Sequence, residues 1–219
     1  SSRGPTRDGR LKPDVCAPGE DVNSALADSD HGSAQCLGVT MSGTSMATPT
    51  AAGGAALLRQ YFTDGFYPSG APRAEDAVLP SGALLKAALV AGAMDVGQAD
   101  GPNRAEGFGR IHLDNVCFFS TPVRDARRTR VWDRWNAAGL SSGQREEVPL
   151  QVGPGQPLKV SLAWTDPEPS PLSAVGLVND LDLSVRAPAG TVYYGNVFSG
   201  GASSPSGCPS ASRTPSRTS

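Results

Sequence analysis

The stretch MSGTSMATP, residues 41–49, decides the fold. An Ala- and Gly-rich segment follows it and predicts a helix over residues 45–59. Because glycine is a poor helix former, we expect the small residues to serve close packing against other backbone, and the helix to be buried. Gly43 allows a tight turn into the helix. Pro49 is tolerated because the N–H groups of a first helical turn lack intrahelical partners.

Ser45 stands at the predicted start of this helix, where two interpretations compete. A serine nucleophile must be exposed at the beginning of a rigid element, near backbone donors that can bind a developing oxyanion. A helix N-terminus supplies unpaired N–H groups and a dipole that favours negative charge. A capping Ser or Thr before a buried helix would produce the same local pattern. The residues alone leave both interpretations open.

The rest of the chain changes character near residue 120. Before it, Ser81 is a plausible N-cap for a second helix over residues 82–94, which has a broad apolar face. After it, alternation in LKVSLAW at residues 158–164 and LDLSV at 181–185 predicts an antiparallel β domain of the sandwich type. The tail from Ser199 has almost no large apolar residue and is expected to be disordered. We therefore predict domains at 1–120 and 121–198, followed by the tail at 199–219.

Composition limits the classes of partner. The formal net charge of −2 gives no indication of a nucleic-acid or anionic-membrane partner. No apolar run approaches the roughly 20 residues that span a bilayer. The chain begins without Met, and no signal-peptide core follows its first residues, so we expect a fragment that starts inside a domain.

The four cysteines, Cys16, Cys36, Cys117 and Cys208, include no C-x-x-C pair of a zinc or redox site. We expect free or buried thiols. A Cys16–Cys36 disulfide is the alternative in an oxidising compartment.

Residues 43–49, GTSMATP, resemble the active-site serine signature of the subtilase family. Blocks upstream (SRGPT, KPDV and APG within residues 2–19) and downstream (LLKAAL and GFGR within 84–110) are similar to the same family in order and spacing. SLAWTD at 161–166 and LVNDLDL at 177–183 resemble alkaline subtilases that carry a C-terminal β-sandwich. The resemblance implies an α/β fold, the C-terminal half of a subtilisin-like parallel-sheet domain, followed by a partial antiparallel, jelly-roll-like β-sandwich.

The resemblance also implies a serine endopeptidase acting on peptide or protein substrates through an acyl-enzyme on Ser45. Gly43, Thr44 and Ser45 would form the nucleophile and oxyanion loop, with the Ser45 N–H as one donor. The family places its triad Asp and His and its oxyanion Asn upstream, but only 44 residues precede the serine here and none match. We therefore expect the isolated chain to be inactive and to need the missing N-terminal half of its own catalytic domain.

Two histidines could be considered as a substitute base. His31 lies in a polar loop before the serine and is better explained as a solvated loop residue. His112 is expected to be structural. The alternatives to a peptidase are a non-catalytic subtilase relative that binds peptide, and a binding module based on the β domain.

Asp180 and Asp182 would lie on the same face of a strand, and with Asp166 they could ligate calcium. A solvated strand edge or a turn cap is the alternative. No cofactor is needed for the chemistry itself. The family resemblance implies secretion or a lumenal compartment.

Overall fold

A computed structural model describes residues 2–97, 101–122, 128–155, 157–173 and 176–205. Cys208 and most of the predicted disordered tail lie outside these ranges. The two α-helices are α1 (Thr44–Thr63) and α2 (Gly82–Gly92), and single 3₁₀ turns occur at Ala74–Asp76, Leu113–Asn115 and Asn136–Ala138. The strands are β1 (Val22–Ala25), β2 (Gly38–Met41), β3 (Ser184–Arg186), β4 (Val192–Tyr194), β5 (Phe198–Ser199) and β6 (Ala202–Ser203).

Both predicted helices are confirmed, and the cap on α2 forms as expected. The Leu84 N–H donates to the Ser81 side chain at 3.0 Å. The helix ends at Gly92, whose missing side chain allows the Val116 side chain and the His112 carbonyl to approach closely. An added Cβ at Gly92 would lie 2.5 Å from Val116 Cγ2.

The hydrophobic core lies between the C-terminal half of α1, α2 and the segment that follows residue 112. Its buried members are Leu58, Tyr61, Phe62, Leu84, Ala88, Val116 and Cys117. The Tyr61 hydroxyl donates to the Phe118 carbonyl at 3.0 Å and accepts from the Phe118 N–H at 3.1 Å. The core therefore anchors the end of α1 that is remote from Ser45.

The prediction that α1 is buried along its length is not confirmed. Gly54 is buried and lies against Ile111, but Ala52, Gly53 and Leu57 are exposed, and Leu57 is 59% exposed. Small residues permit close packing but bury little apolar area of their own. Among the described residues, no element covers this outer face of α1.

The three sheets are small, two-stranded and antiparallel: β1 with β2, β3 with β4, and β5 with β6. They do not confirm the predicted parallel sheet or β-sandwich. Residues 158–164, which were predicted to be a strand, form none. Alternation of apolar and polar residues does not supply the partner strand that a strand needs to satisfy its backbone N–H and C=O groups. The β5–β6 hairpin occupies the first residues of the segment predicted to be disordered.

One parallel pairing does occur, as an isolated bridge between Cys16 and Arg110. The Cys16 N–H donates to the Gly109 carbonyl at 2.9 Å, and the Ile111 N–H donates to the Cys16 carbonyl at 3.0 Å. This bridge ties the N-terminal segment to the chain that leaves α2. Cys16 and Cys36 are both free thiols, so the alternative disulfide does not form.

Residues 128–134, here called the strap, lie outside any helix or paired strand and pass across the core with the alternating burial typical of an extended segment. Three side chains hold it: Thr129 Oγ1 donates to the Val116 carbonyl at 2.9 Å, Val131 packs against the core, and Asp133 accepts from Ser81. The Asp133 carboxylate receives both the Ser81 N–H at 2.7 Å and the Ser81 hydroxyl at 2.6 Å. The strap therefore fixes the start of α2.

In the described part of the chain, no helix combines the length and apolar character needed to cross a bilayer.

Candidate active site

The turn between β2 and α1 presents Ser45 to solvent. Ser45 is the second residue of α1 and is exposed. Gly43 immediately precedes the helix with φ 156° and ψ 170°, a region of backbone space that is essentially restricted to glycine. This conformation lets the chain leave β2 and enter the helix within two residues. The hydroxyl predicted to be the nucleophile therefore lies on the surface rather than inside the core.

The same turn leaves backbone donors beside Ser45. The first bonds of α1 are donated by the N–H groups of Met46 and Ala47 to the Gly43 carbonyl, at 3.0 and 3.2 Å. The N–H groups of Thr44 and Ser45 precede these bonds and point past the helix end. The first turn carries no acidic side chain, so nothing on it offsets the positive end of the helix dipole. These two donors are suited to a developing negative charge on an acyl oxygen.

Two contacts attach this turn to residues 19–21. The Gly43 N–H donates to the Gly19 carbonyl at 2.7 Å. The Asp21 N–H donates to Ser42 Oγ at 2.9 Å, and the Ser42 hydroxyl is 3.3 Å from Asp21 Oδ1. Asp21 adopts a left-handed conformation, with φ 51°, to make these bonds. Backbone strain of this kind persists only where the surrounding contacts hold it.

Gly19 packs directly beneath the turn. A Cβ added there would lie 2.7 Å from the Gly43 carbonyl oxygen and 2.8 Å from Ala47 Cβ. Sequence reasoning assigned no role to Gly19, Asp21 or Ser42. Gly19 falls in the APG match at residues 17–19 and Ser42 in the MSGTSMATP stretch, but no sequence signal pointed to Asp21.

Pro49 is the sixth residue of α1 and not part of its first turn, which corrects the reason given above for its tolerance. Its missing N–H leaves the Ser45 carbonyl without the usual donor four residues later. The Thr48 hydroxyl donates to the Thr44 carbonyl at 2.9 Å, and the Thr50 hydroxyl donates to the Met46 carbonyl at 2.9 Å. Hydroxyl groups on both sides of Pro49 thus donate to helix carbonyls four residues earlier.

Neither histidine is hydrogen-bonded to Ser45 in the described part of the chain. His31 lies in the exposed loop between β1 and β2. His112 precedes the Leu113–Asn115 turn, and its buried Nδ1 has no hydrogen-bond partner among the described residues. No local Asp–His pair therefore accompanies the serine in the described ranges.

The three carboxylates predicted to bind calcium do not form one group. Asp166 accepts hydrogen bonds from the N–H of Val178 at 2.7 Å, the N–H of Asn179 at 2.9 Å and the Asn179 amide at 2.7 Å. Partial desolvation raises the pKa of Asp166, but these bonds outweigh it and hold the pKa below its usual value.

Asp180 and Asp182 are exposed and lie before β3 rather than within it. No cluster of three His, Cys, Asp or Glu side chains suited to a metal occurs within the described ranges. Asp166 acts here as a cap on the turn at residues 178–179.

Comparison with known proteins bears on the same part of the chain. The model of the subtilase family matches residues 1–109. The chain is 31% identical, over 84% of its length, to the serine protease/ABC transporter B family protein tagB of Dictyostelium discoideum, and covers 12% of that protein. It is 29% identical to tagD of the same organism, over 93% of its length and 14% of the relative.

A shorter match concerns bacterial proteins. The chain is 42% identical to the C5a peptidase of Streptococcus pyogenes, over 33% of its own length and 6% of the relative. It therefore spans less than a sixth of each of these relatives. Residues 1–109, which contain the Ser45 turn, therefore belong to the subtilase family.

Proposed function

We propose that this chain carries the nucleophile and part of the oxyanion site of a serine endopeptidase. The observation that carries the proposal is the exposed Ser45 on the first turn of α1, next to N–H groups that make no intrahelical bond. Membership of the subtilase family supports the same chemistry. The names of the Dictyostelium and Streptococcus relatives, a serine protease and a peptidase, agree with it.

In the proposed reaction, Ser45 Oγ attacks the carbonyl carbon of a substrate peptide bond. The hydroxyl proton of Ser45 passes to a histidine supplied from outside this chain. The tetrahedral oxyanion accepts a hydrogen bond from the backbone N–H of Ser45. The C–N bond then breaks, and the histidine returns the proton to the departing amine. Water, activated by the same histidine, hydrolyses the Ser45 ester and releases the second product. Gly43 and Thr44 shape the backbone of this site.

We expect the isolated chain to be essentially inactive, because no histidine is hydrogen-bonded to Ser45 in the described residues and no segment before Ser45 matches the family's Asp or His. In subtilisin, removal of the triad serine or histidine lowers turnover by about 10⁶, which corresponds to roughly 8 kcal/mol of barrier. The partner we propose is the N-terminal half of the same catalytic domain. The exposed outer face of α1, including Gly53 and Leu57, is where that half would pack.

The finer architecture belongs to the same proposal. The parallel sheet would be completed by strands of the N-terminal half, and the Cys16–Arg110 bridge is consistent with that arrangement. We also propose that residues 121–198 are part of a β-sandwich, with β3 and β4 as one of its hairpins. A secreted or lumenal location follows from the family resemblance alone.

A serine-directed fluorophosphonate probe tests the function. We expect it to label a longer polypeptide that contains this chain and the Asp- and His-bearing segments, with the adduct mapped to Ser45. Ser45→Ala should abolish labelling, and Ser33→Ala, in the exposed loop, should not. Labelling that survives Ser45→Ala would exclude the assigned nucleophile. Rapid labelling of Ser45 in the 219-residue chain alone would contradict the predicted inactivity.

The two alternatives to a peptidase, a non-catalytic relative and a β-domain binding module, predict different experimental results. A non-catalytic relative would bind peptide in the longer polypeptide but leave the probe unreacted. A β-domain binding module would bind its partner equally well after Ser45→Ala. No observation in the described residues favours either alternative.

A structural calcium ion held by Asp166, Asp180 and Asp182 also remains a prediction, and it requires these carboxylates, which form no metal-binding cluster in the described residues, to draw together around the ion. Its test is the melting temperature with calcium and with a chelator. An unchanged melting temperature would leave Asp166 as a turn cap only.

A further inference from the structure

The strap presents a basic and aromatic face to solvent, opposite the face that holds it to the core. Burial alternates along it: Thr129, Val131 and Asp133 are partly buried, whereas the residues between them are exposed. The exposed residues are Arg128, Arg130, Trp132 and Arg134. In an extended chain, side chains on one face recur every second residue, about 6.6 Å apart. Three guanidinium groups and one indole therefore follow a single line.

A cavity of about 400 Å³ opens beside this line. Residues 128–132 form one wall, and Tyr67 and Pro68 form the other. Among the described residues, the lining contains two arginines and no acidic side chain. Trp132, which is 50% exposed, supplies apolar surface at one end. The cavity thus combines positive charge with aromatic surface, a combination suited to an anionic ligand that also has apolar groups.

The strap is held firmly enough to preorganise this face. The Val131 N–H donates to the Tyr67 hydroxyl at 3.2 Å, which joins the two walls of the cavity. The Arg128 guanidinium stacks over the Phe118 ring, 3.5 Å from the ring centre. Stacking of this kind orients the guanidinium plane over the ring.

Arg134, the third arginine of the line, forms an ion pair with a carboxylate of this chain. Arg134 Nε donates to Glu146 Oε2 at 2.8 Å, and Arg134 Nη2 donates to Glu146 Oε1 at 2.5 Å. This is the two-point geometry in which a guanidinium fork matches a carboxylate. Glu146 belongs to an exposed segment of the same chain. The strap therefore already pairs one of its arginines with a carboxylate at the surface.

We propose that the strap and its cavity bind an acidic, extended peptide segment of a partner protein. A carboxylate of the segment pairs with Arg130, and an apolar side chain two residues away on the same face of the segment packs on Trp132. A peptide fits better than a nucleic acid, because the chain as a whole has a net charge of −2 and would repel a long polyanion. The proposal does not depend on the chemistry of Ser45.

Fluorescence anisotropy tests it with a fluorescein-labelled peptide that repeats Glu-Ala-Leu-Ala, so that Glu and Leu recur on one face. We expect saturable binding to the full chain that weakens as salt increases. Arg130→Gln should weaken it by about tenfold, the loss of one charge-assisted contact. The matched control is Arg145→Gln, since Arg145 is exposed, lies outside the strap and is 3.6 Å from Glu147. The control should bind the peptide as the parent chain does.

Three results would overturn the proposal. Equal affinity of the Arg130→Gln variant and the parent chain would show that the strap is not the site. Equal binding of a peptide that repeats Lys-Ala-Leu-Ala would exclude recognition of charge. Binding of a single-stranded oligothymidylate in preference to the acidic peptide would assign the face to nucleic acid instead. Because Arg130 is exposed, an unchanged melting temperature of the variant confirms that a loss of binding is local.

Discussion

Replacing Gly19 by alanine tests whether this glycine sets the position of the Ser45 turn. The new methyl group would lie 2.7 Å from the Gly43 carbonyl oxygen and 2.8 Å from Ala47 Cβ, both well inside the 3.4 Å at which ordinary contact begins. Neither neighbour is the flexible end of a long side chain, so relief requires a shift of the backbone. Overpacking of this kind costs about 1–3 kcal/mol.

The matched control is the same substitution in a place with room. Gly53 lies within α1, and a Cβ added there meets no atom within 4 Å. Because alanine is the better helix former, Gly53→Ala should stabilise the chain by about 1 kcal/mol. The two variants differ from the parent by the same single methyl group, so their opposite signs would isolate packing at the turn.

Thermal unfolding monitored by circular dichroism is the assay. For a chain of this size, about 1 kcal/mol shifts the melting temperature by roughly 2–4 °C, so Gly19→Ala should lower it and Gly53→Ala should raise it. Hydrogen exchange should also show faster exchange of the Gly43 N–H in the Gly19→Ala variant, because its 2.7 Å bond to the residue 19 carbonyl is disturbed. If Gly19→Ala is as stable as the parent while Gly53→Ala is stabilised, the close approach does not constrain the turn.

Three further predictions concern the strap, the core and the thiols. Removing the Asp133 carboxylate by Asp133→Ala or the cap by Ser81→Ala should each destabilise the chain by about 1–2 kcal/mol, and a double-mutant cycle should show that the two losses are not additive, because both remove the bond between the Ser81 hydroxyl and Asp133. Burial raises the pKa of Tyr61 to about 12 from an ordinary value of 10. The unfolded chain therefore loses this proton first, so stability present below pH 10 should fall as pH rises from 10 to 12, with a shallower fall in Tyr61→Phe. Burial also raises the pKa of Cys117 to about 12, whereas Cys36 is exposed. A maleimide at neutral pH should modify Cys36 quickly and Cys117 only on unfolding, and equal rates would contradict the described core.

Local signals explain why much of the site could be predicted. Three of these features depend on contacts between residues at most four positions apart in the chain. They are the glycine before α1, the serine on its first turn and the Ser81 cap on α2. The requirement for exposure and free N–H groups at a helix start follows from helix geometry itself. For these features, sequence and structure agree without help from distant residues.

Long-range contacts explain what could not be predicted. The bonds from Gly19 and Asp21 to the turn join residues more than 20 positions apart, and the Ser81–Asp133 pair is separated by 52 positions. The alternation at residues 158–164 was interpreted as a strand, but alternation reports only suitability for a pleated surface and not the presence of a neighbour.

By itself, the sequence determined where the Ser45 turn lies, which segments become the two helices and which family the turn resembles. Only the tertiary structure decided that α1 is anchored at its far end and exposed along its small-residue face, that Asp21 strains its backbone to hold Ser42, and that the strap faces its arginines outward. The physical reason is that helix starts and caps are satisfied by neighbouring residues, whereas burial, clamping and the direction of an extended segment depend on which distant surfaces come together.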